Sequence, residues 1–198
     1  MNLSPFAFDQ SVTAWVVSIR SEPWNSLWQM ATVLGDTLTL TLVVIGVFVL
    51  AWLSERIDLA ALIVFGGLSV YILMTLLKHL FGRDRPPVAD RLIDVDGLSF
   101  PSGHAMCSTV ILGLTAVICY RLFSAVRERP AVLLVAPVLV LVIGMSRVYL
   151  GAHWASDVLV GWALGLIWLA VCLVAHQQIT KWLRLRTQPA PRAPAQRN

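Results

Sequence analysis

Residues 101–123 read PSGHAMCSTVILGLTAVICYRLF, a short polar cluster that runs directly into about twenty largely apolar residues. A helix needs about 20 such residues to cross the hydrocarbon layer of a membrane. Ser102 is placed to cap the start of this helix, and the free N–H groups of a first helical turn form an anion site. Gly103 lets a ligand approach that backbone closely. The stretch therefore predicts a spanning helix whose first turn faces a polar site.

Two further polar clusters lie on either side of this stretch. They are Lys78 with Arg85-Pro86 before it, and Ser146-Arg147 with His153 and Asp157 after it. Ionisable residues near a bilayer are costly and are usually functional. Lys78 and Arg85 are seven residues apart, so both reach one site if their helix continues outward. Two cations directed at one point suit a phosphate, although this pair taken alone is equally consistent with contact to lipid headgroups.

The spacing of His153 and Asp157 indicates a reactive histidine. At i and i+4 they are neighbours on one face if their helix begins by His153. A carboxylate bonded to one ring nitrogen fixes the tautomer and leaves the other nitrogen as a nucleophile. Arg147 is able to neutralise a phosphoryl group, and His104, beside an anion site, is able to donate a proton. A structural His–Asp pair and an ordinary capped helix start are the alternatives, and the joint presence of three clusters disfavours both.

The composition of the whole chain is typical of a membrane protein. Of its 198 residues, 58% are hydrophobic and 13% are charged, and the mean hydropathy is +0.76. A soluble domain carries about 25% charged residues. The formal charge of +4 does not indicate a nucleic-acid partner, because the basic residues lie at the ends of apolar segments. Cys107, Cys119 and Cys172 lie inside apolar runs without metal-ligand spacing, and we interpret them as buried hydrophobes.

The apolar segments predict an all-α fold. Five of them have, or nearly have, the length of a membrane span: 37–53, 58–80, 104–123, 131–149 and 157–178. We therefore expect a polytopic membrane helix bundle of about five transmembrane helices, with the bundle over residues 35–180. No second domain is indicated, so residues 1–186 are expected to form a single domain.

Both ends of the chain differ from the apolar segments. In residues 1–34, Phe8, Val12, Trp15 and Ile19 recur at helical spacing, opposite Asp9, Gln10 and Arg20. This pattern predicts an amphipathic segment that lies at the membrane interface. Residues 187–198 are rich in Pro, Ala and Gln and are expected to form a disordered tail.

The distribution of Lys and Arg predicts the orientation in the membrane. One side of the bundle would carry the larger set, Arg56, Arg121, Arg127, Arg129, Lys181, Arg184, Arg186, Arg192 and Arg197. The other side would carry Arg20, Lys78, Arg83, Arg85, Arg91 and Arg147, half of which belong to the polar clusters. Cytoplasmic loops carry the excess of positive charge. We therefore expect a cytoplasmic C-terminus and all three clusters together on the periplasmic or extracellular side.

Together the clusters resemble the motifs of the type 2 phosphatidic acid phosphatase superfamily, over about residues 78–157, and the hydrophobic layout resembles its membrane-bound bacterial branch. The resemblance implies that His153 is the nucleophile and forms a phosphohistidine, that Asp157 orients it, and that His104 protonates the leaving alkoxide. It also implies that the phosphate is held, without a metal ion or other cofactor, by Lys78, Arg85, Ser102, Gly103 and Arg147.

This resemblance predicts an enzyme of the bacterial inner membrane. It would hydrolyse a lipid phosphate monoester or pyrophosphate, of the undecaprenyl pyrophosphate, phosphatidylglycerol phosphate or phosphatidic acid type, at the outer face. A lipid phosphotransferase with an acceptor other than water would share every residue and stays an alternative, as does a non-catalytic phosphate-lipid binding or transport protein. Many membrane members of the superfamily have six spans, which leaves either a shorter variant or a start further upstream. The oligomeric state is left open.

Overall fold

The computed structural model describes residues 4–187, and these residues are helical with connecting turns and loops. The α-helices, in chain order, are α1 Ala7–Ser18, α2 Trp24–Val33, α3 Thr37–Leu53, α4 Ile57–Phe81, α5 Gly103–Leu122, α6 Ser124–Glu128, α7 Val135–Tyr149 and α8 Ala155–Thr187. Short 3₁₀ helices span Val88–Asp90 and Pro130–Leu134. The disordered tail expected over 187–198 lies, from residue 188 onward, outside the described residues.

The predicted all-α membrane bundle is confirmed. Four helical stretches in the described part of the chain are long and apolar enough to cross a membrane: Ile57–Phe81, Gly103–Leu122, Pro130–Tyr149 and Ala155–Arg186. A fifth candidate consists of α2 and α3 taken as one span that bends by 46°. α3 alone has 17 residues, which is at the lower limit for a span. The expected boundary at residue 34 therefore lies inside this bent pair.

α5 occupies the centre of the bundle and packs against α3, α4, α7 and α8. Its side chains Met106, Val110 and Leu114 have no solvent exposure. α8 approaches it closely, since a Cβ atom added at Gly165 would lie 3.0 Å from the carbonyl oxygen of Met106. Small residues of this kind let membrane helices come close enough for van der Waals packing. The central position of α5 holds the start of this helix rigidly against its neighbours.

The N-terminal helix α1 packs against α7 and α8. Its apolar side chains point outward as expected, with Phe8 and Trp15 55% and 62% exposed. Asp9, expected on a polar face turned to water, is instead completely buried against the bundle. The physical reason is that Asp9 accepts hydrogen bonds from donors inside the protein, whereas apolar side chains on the outer face are favourably placed in contact with lipid.

Candidate active site

Six of the eight residues predicted for the site line one cavity of about 260 Å³. They are Lys78, Arg85, Gly103, His104, Arg147 and His153. The cavity lies where the end of α4, the start of α5, the end of α7 and the turn before α8 meet, beside the corner between α2 and α3. The structure thus brings the three polar clusters together at one end of the bundle.

The other two predicted residues, Ser102 and Asp157, are fully buried next to the cavity. Ser102 caps α5, with its Oγ accepting from the N–H of Ala105 at 3.5 Å. The N–H of Ser102 donates to the carbonyl oxygen of Asp157 at 3.1 Å, which joins the second and third clusters. The first intrahelical bond of α5 is made by Met106, so the N–H groups of Gly103 and His104 are available to an anion.

Lys78 and Arg85 reach the cavity by a route other than the predicted one. α4 ends at Phe81, and Gly82 takes a left-handed conformation with φ of 56°, which turns the chain out of the helix. The helix therefore does not continue to Arg85, which was the condition under which the seven-residue spacing alone would align Lys78 and Arg85. The following loop folds back, so that Arg85 donates to the carbonyl oxygen of Gly97 at 3.0 Å and Lys78 donates to that of Leu98 at 2.5 Å.

His153 lies in the turn between α7 and α8 and is 2% exposed. Its Nε2 accepts from Arg85 Nη1 at 3.2 Å, and its Nδ1 lies 3.3 Å from Ser99 Oγ. This network assigns the proton to Nδ1 and the lone pair to Nε2. Burial, followed by the nearby cations Arg85 and Arg147, holds the pKa of His153 well below its usual range. The imidazole is therefore neutral at neutral pH, as a nucleophile must be.

Asp157 contacts this imidazole less directly than the spacing predicts. Its Oδ2 lies 3.5 Å from His153 Nδ1, at ion-pair distance, and accepts from Ser99 Oγ at 2.5 Å. The helix begins at Ala155, after His153, so the two residues do not share a regular helical turn. The same carboxylate oxygen accepts from the N–H of Trp154 at 3.0 Å, which anchors Asp157 to the start of α8.

His104, in the first turn of α5, has a carboxylate partner that the sequence did not reveal. Its Nε2 lies 2.9 Å from Oδ1 of Asp36, the residue that precedes α3. Gly35 permits this approach, because a Cβ atom there would lie 2.8 Å from His104 Cδ2. The pair is partly open, with the side chains of His104 and Asp36 21% and 47% exposed.

Arg147 completes a ring of three cations around the cavity with Lys78 and Arg85. Its Nη1 donates to Thr32 Oγ1 at 2.6 Å, while its buried Nε has no hydrogen-bond partner within residues 4–187. A buried cation with unused donors is costly in the absence of an anion. The cavity is therefore built for a compact, multiply charged anion such as a phosphate.

Four residues of this arrangement are not among those that the sequence motifs predict: Asp9, Asp36, Arg83 and Ser99. Arg83 counted only as an outer positive charge, yet it is 1% exposed and bonds both Asp157 and Asp9. A usable signal was its position within the first cluster, five residues after Lys78 and two residues before Arg85. No spacing in the sequence connects Asp9 or Asp36 to the clusters, because both contacts depend on tertiary packing.

Comparison with known proteins identifies the family and the fold of the chain. Residues 59–181 match the PAP2 superfamily. Phosphatidylglycerophosphatase B of Bacillus subtilis is 32% identical over 163 residues, which cover 80% of this chain and 78% of the relative. Putative undecaprenyl-diphosphatase YbjG of Escherichia coli is 30% identical over 185 residues, which cover 84% and 87% of the two chains.

Two solved structures are similar throughout the bundle. The crystal structure of a transmembrane PAP2-type phosphatidylglycerolphosphate phosphatase from Bacillus subtilis has a TM-score of 0.81 at 26% identity, covering 86% of this chain and 85% of that one. The crystal structure of Aquifex aeolicus LpxE has a TM-score of 0.70 at 21% identity, covering 87% and 99%. The second likeness establishes the shared fold alone.

Proposed function

Since this chain belongs to the PAP2 superfamily and is a membrane lipid phosphatase, we propose that it works through a phosphohistidine formed on His153. The substrate is a lipid pyrophosphate or phosphate monoester at the outer face of a bacterial inner membrane, and the C-terminus is cytoplasmic. The observation that carries this proposal is the buried His153, whose Nε2 accepts from Arg85 in a cavity that Lys78, Arg85 and Arg147 surround. Burial and these cations lower its pKa, which favours the neutral imidazole.

In the first chemical step, the Nε2 lone pair of His153 attacks phosphorus and the bond from phosphorus to the leaving oxygen breaks. Arg85 exchanges its bond to Nε2 for a bond to a phosphoryl oxygen. The imidazole gains positive charge as the new bond forms, and the Nδ1–H is stabilised by Ser99 and the carboxylate of Asp157. Splitting hydrolysis into two displacements lowers each barrier.

The cations and backbone amides stabilise the charge that passes through the phosphoryl group. Lys78, Arg85 and Arg147 surround the cavity. The N–H groups of Gly103 and His104 belong to the first turn of α5, and both residues line the same cavity. Such groups are already in place before the reaction, so they require little reorganisation in the transition state. No step of this mechanism needs a metal ion, and metal independence is part of the proposal.

His104 handles the proton of the leaving group. Its imidazolium, held by Asp36, gives a proton to the leaving oxygen in the first step. The neutral imidazole then takes a proton from the water that attacks the phosphohistidine, so His104 ends the cycle protonated and His153 is released. A pyrophosphate substrate depends less on this acid, because its leaving group is a phosphate.

The position of the cavity at the ends of spanning helices suits an amphiphilic substrate that arrives from the bilayer. Undecaprenyl pyrophosphate, phosphatidylglycerol phosphate and phosphatidic acid all combine a phosphate head with a long apolar tail. The names of the relatives fall within the same range of lipids.

The proposal is tested by phosphate release from purified protein in detergent, with excess EDTA, on those three lipids and on diacylglycerol pyrophosphate. His153→Ala is the paired variant. We expect EDTA-resistant release that disappears in the variant, and an acid-labile, alkali-stable phosphoprotein after rapid quenching of the wild type. Release that persists in His153→Ala would refute the phosphohistidine route. Release that stops with EDTA would refute metal independence, and phosphate found on a second lipid would indicate a phosphotransferase.

A further inference from the structure

A row of buried charges connects the N-terminal helix to the nucleophile. Asp9, Arg83 and Asp157 are 0%, 1% and 0% exposed. Arg83 Nη2 donates to Asp9 Oδ2 at 2.6 Å, and Arg83 Nη1 forms an ion pair with Asp157 Oδ1. Ser156 lies between them, since its Oγ accepts from Arg83 Nη1 and donates to Asp9 Oδ2, both at 2.8 Å. One guanidinium therefore bridges two carboxylates, one of which adjoins His153.

Asp9 is firmly anchored in its charged form. It accepts from the N–H of Ser156 at 2.9 Å and from the N–H of Phe6 at 3.1 Å, in addition to Arg83. Burial raises the pKa of Asp9, but the hydrogen bonds from Ser156 and Arg83 outweigh this, and the pKa lies below its ordinary value. A full negative charge is thus held next to Arg83 inside the protein.

The charge of Asp9 strengthens the electrostatic attraction between the Asp157–Arg83 pair and a cationic His153. An Asp157–Arg83 pair alone is neutral overall, so its attraction for a cationic imidazole is weak. With Asp9 bonded to the same guanidinium, the three groups carry one net negative charge. Charge interactions are much stronger in a buried environment than in water, so this difference is felt at His153, which becomes cationic when it carries the phosphoryl group.

We propose that Asp9 is a positioning residue of the active site, acting through Arg83 and Asp157 to stabilise the phosphorylated, cationic form of His153. Asp9 lies outside residues 59–181, the region that matches the superfamily. The N-terminal helix then contributes the charge of Asp9 to the active site, in addition to its packing against the bundle. This inference rests on the proposed role of His153 as nucleophile.

The test is Asp9→Asn, which keeps the shape and the acceptor oxygen but removes the charge. We expect kcat to fall roughly 10- to 100-fold, by analogy with the range seen when the partners that orient metal-ligating histidines are changed, with KM nearly unchanged. The acid limb of the profile of kcat/KM against pH should move to lower pH, because a cationic His153 loses stabilisation. Asp9→Glu, which retains the charge, should leave the limb close to its wild-type position.

Matched controls separate this charge effect from packing. Thr13→Val changes another buried position on the same face of α1 and should leave the limb in place. In an Arg83→Gln background, Asp9→Asn should cost much less than in the wild type, because a buried Asp9 without its cation takes up a proton and no longer carries the charge. Thermal unfolding of each purified variant reports whether the protein is folded.

Each outcome decides the question. Asp9→Asn with wild-type kcat and an unmoved acid limb would overturn the inference, while inactivity of His153→Ala in the same assay would leave the proposed function intact. An active His153→Ala would instead refute the proposed nucleophile. If Asp9→Asn yields no folded protein, Asp9→Ser is measured in its place. Failure of both variants to fold would overturn the inference in favour of a purely structural role.

Discussion

His153 and its carboxylate Asp157 have side chains that are 3% and 0% exposed, whereas those of His104 and its carboxylate Asp36 are 21% and 47% exposed. The first pair is embedded in a network that includes Ser99 and Arg83. The second pair is joined by one contact of 2.9 Å at a helix corner. The same two residue types are therefore held rigidly on one side of the cavity and loosely on the other.

This difference matches the different tasks proposed for the two histidines. A nucleophile must present one nitrogen, in one tautomer, to phosphorus, and a network that leaves few alternatives achieves this. A general acid must exchange its proton with a leaving group and with water in every cycle, which a partly open site permits. Removing a part of the buried pair should therefore be more damaging than removing a part of the open pair.

The largest effect is expected for Asp157→Asn. The variant loses the negative charge beside Nδ1 and leaves Arg83 less well neutralised in a buried position. We expect kcat to drop by about 10³-fold or more on every substrate, similar in scale to the loss of the buried aspartate in a Ser-His-Asp triad. Single-turnover measurements with an aryl phosphate and with phosphatidic acid would check this. A drop confined to one substrate would contradict it.

His104→Ala should have an effect that depends on the leaving group. On phosphatidic acid, whose alkoxide needs a proton, we expect a loss of roughly 10²- to 10⁴-fold. On 4-nitrophenyl phosphate, which leaves without help, the loss should be much smaller. Steady-state rates on both substrates in one detergent provide the measurement, and equal losses on the two would rule out the role of His104 as general acid.

Asp36→Asn should reproduce the pattern of His104→Ala at a smaller scale. The variant retains a hydrogen-bond acceptor for His104 but removes the charge that favours its protonated form. We expect a loss of about 10-fold on phosphatidic acid, by analogy with the range for partners that orient metal-ligating histidines, and little change on the aryl phosphate. Thr41, which is exposed on the helix that follows Asp36, offers Thr41→Ala as a control. Equal rates for Asp36→Asn and the wild type on phosphatidic acid would contradict the prediction.

The smallest effect concerns the pH profile of the unmodified protein. Because the pKa of His153 is lowered, the neutral nucleophile persists as pH falls below the ordinary histidine value of about 6.5. The acid limb of kcat/KM should therefore lie below about pH 6.5. The charged groups that face His153 are Arg85, Arg147, Lys78, His104 and Asp157.

A correction is needed in this measurement because a phosphate monoester itself titrates near pH 6. The titration of the substrate is followed separately by phosphorus NMR, and the measured kcat/KM is divided by the fraction of substrate in the reactive ionisation state. An acid limb at or above pH 6.5 after this correction would show that burial and the surrounding cations do not control His153 in the free enzyme.

Much of the fold could be predicted because its signals are local. Each of the five apolar segments falls on a helical stretch, although 131–149 joins a 3₁₀ helix to α7 and α8 extends beyond 157–178 at both ends. The fifth candidate span is completed by α2 through a bend near Gly35. Hydropathy gives no warning of such a bend, since it averages over residues. The buried position of Asp9 also escaped prediction, because an amphipathic pattern does not say whether its polar face meets water or another part of the protein.

Six of the predicted site residues line the cavity, but their partners Asp9, Asp36, Arg83 and Ser99 were not predicted, and the geometry was predicted only in part. His104, Arg147 and His153 line the cavity as expected, and Lys78 and Arg85 meet there although their helix ends at Phe81 and does not align them. Their convergence depends on the fold-back of the loop after Gly82. That loop also places Ser99 between His153 and Asp157, a contact that no sequence motif announces.

The sequence alone determined the class of fold and the type of reaction, since membrane helices and phosphate-binding motifs are recognisable from short stretches of neighbouring residues. The partners of those motifs emerged from the folded chain. Asp9 meets Arg83 across 74 residues and Asp36 meets His104 across 68 residues. The physical reason is that a buried charge is costly unless an oppositely charged group lies beside it. Helix packing decides which residue supplies that group, and the separation along the chain does not limit the choice.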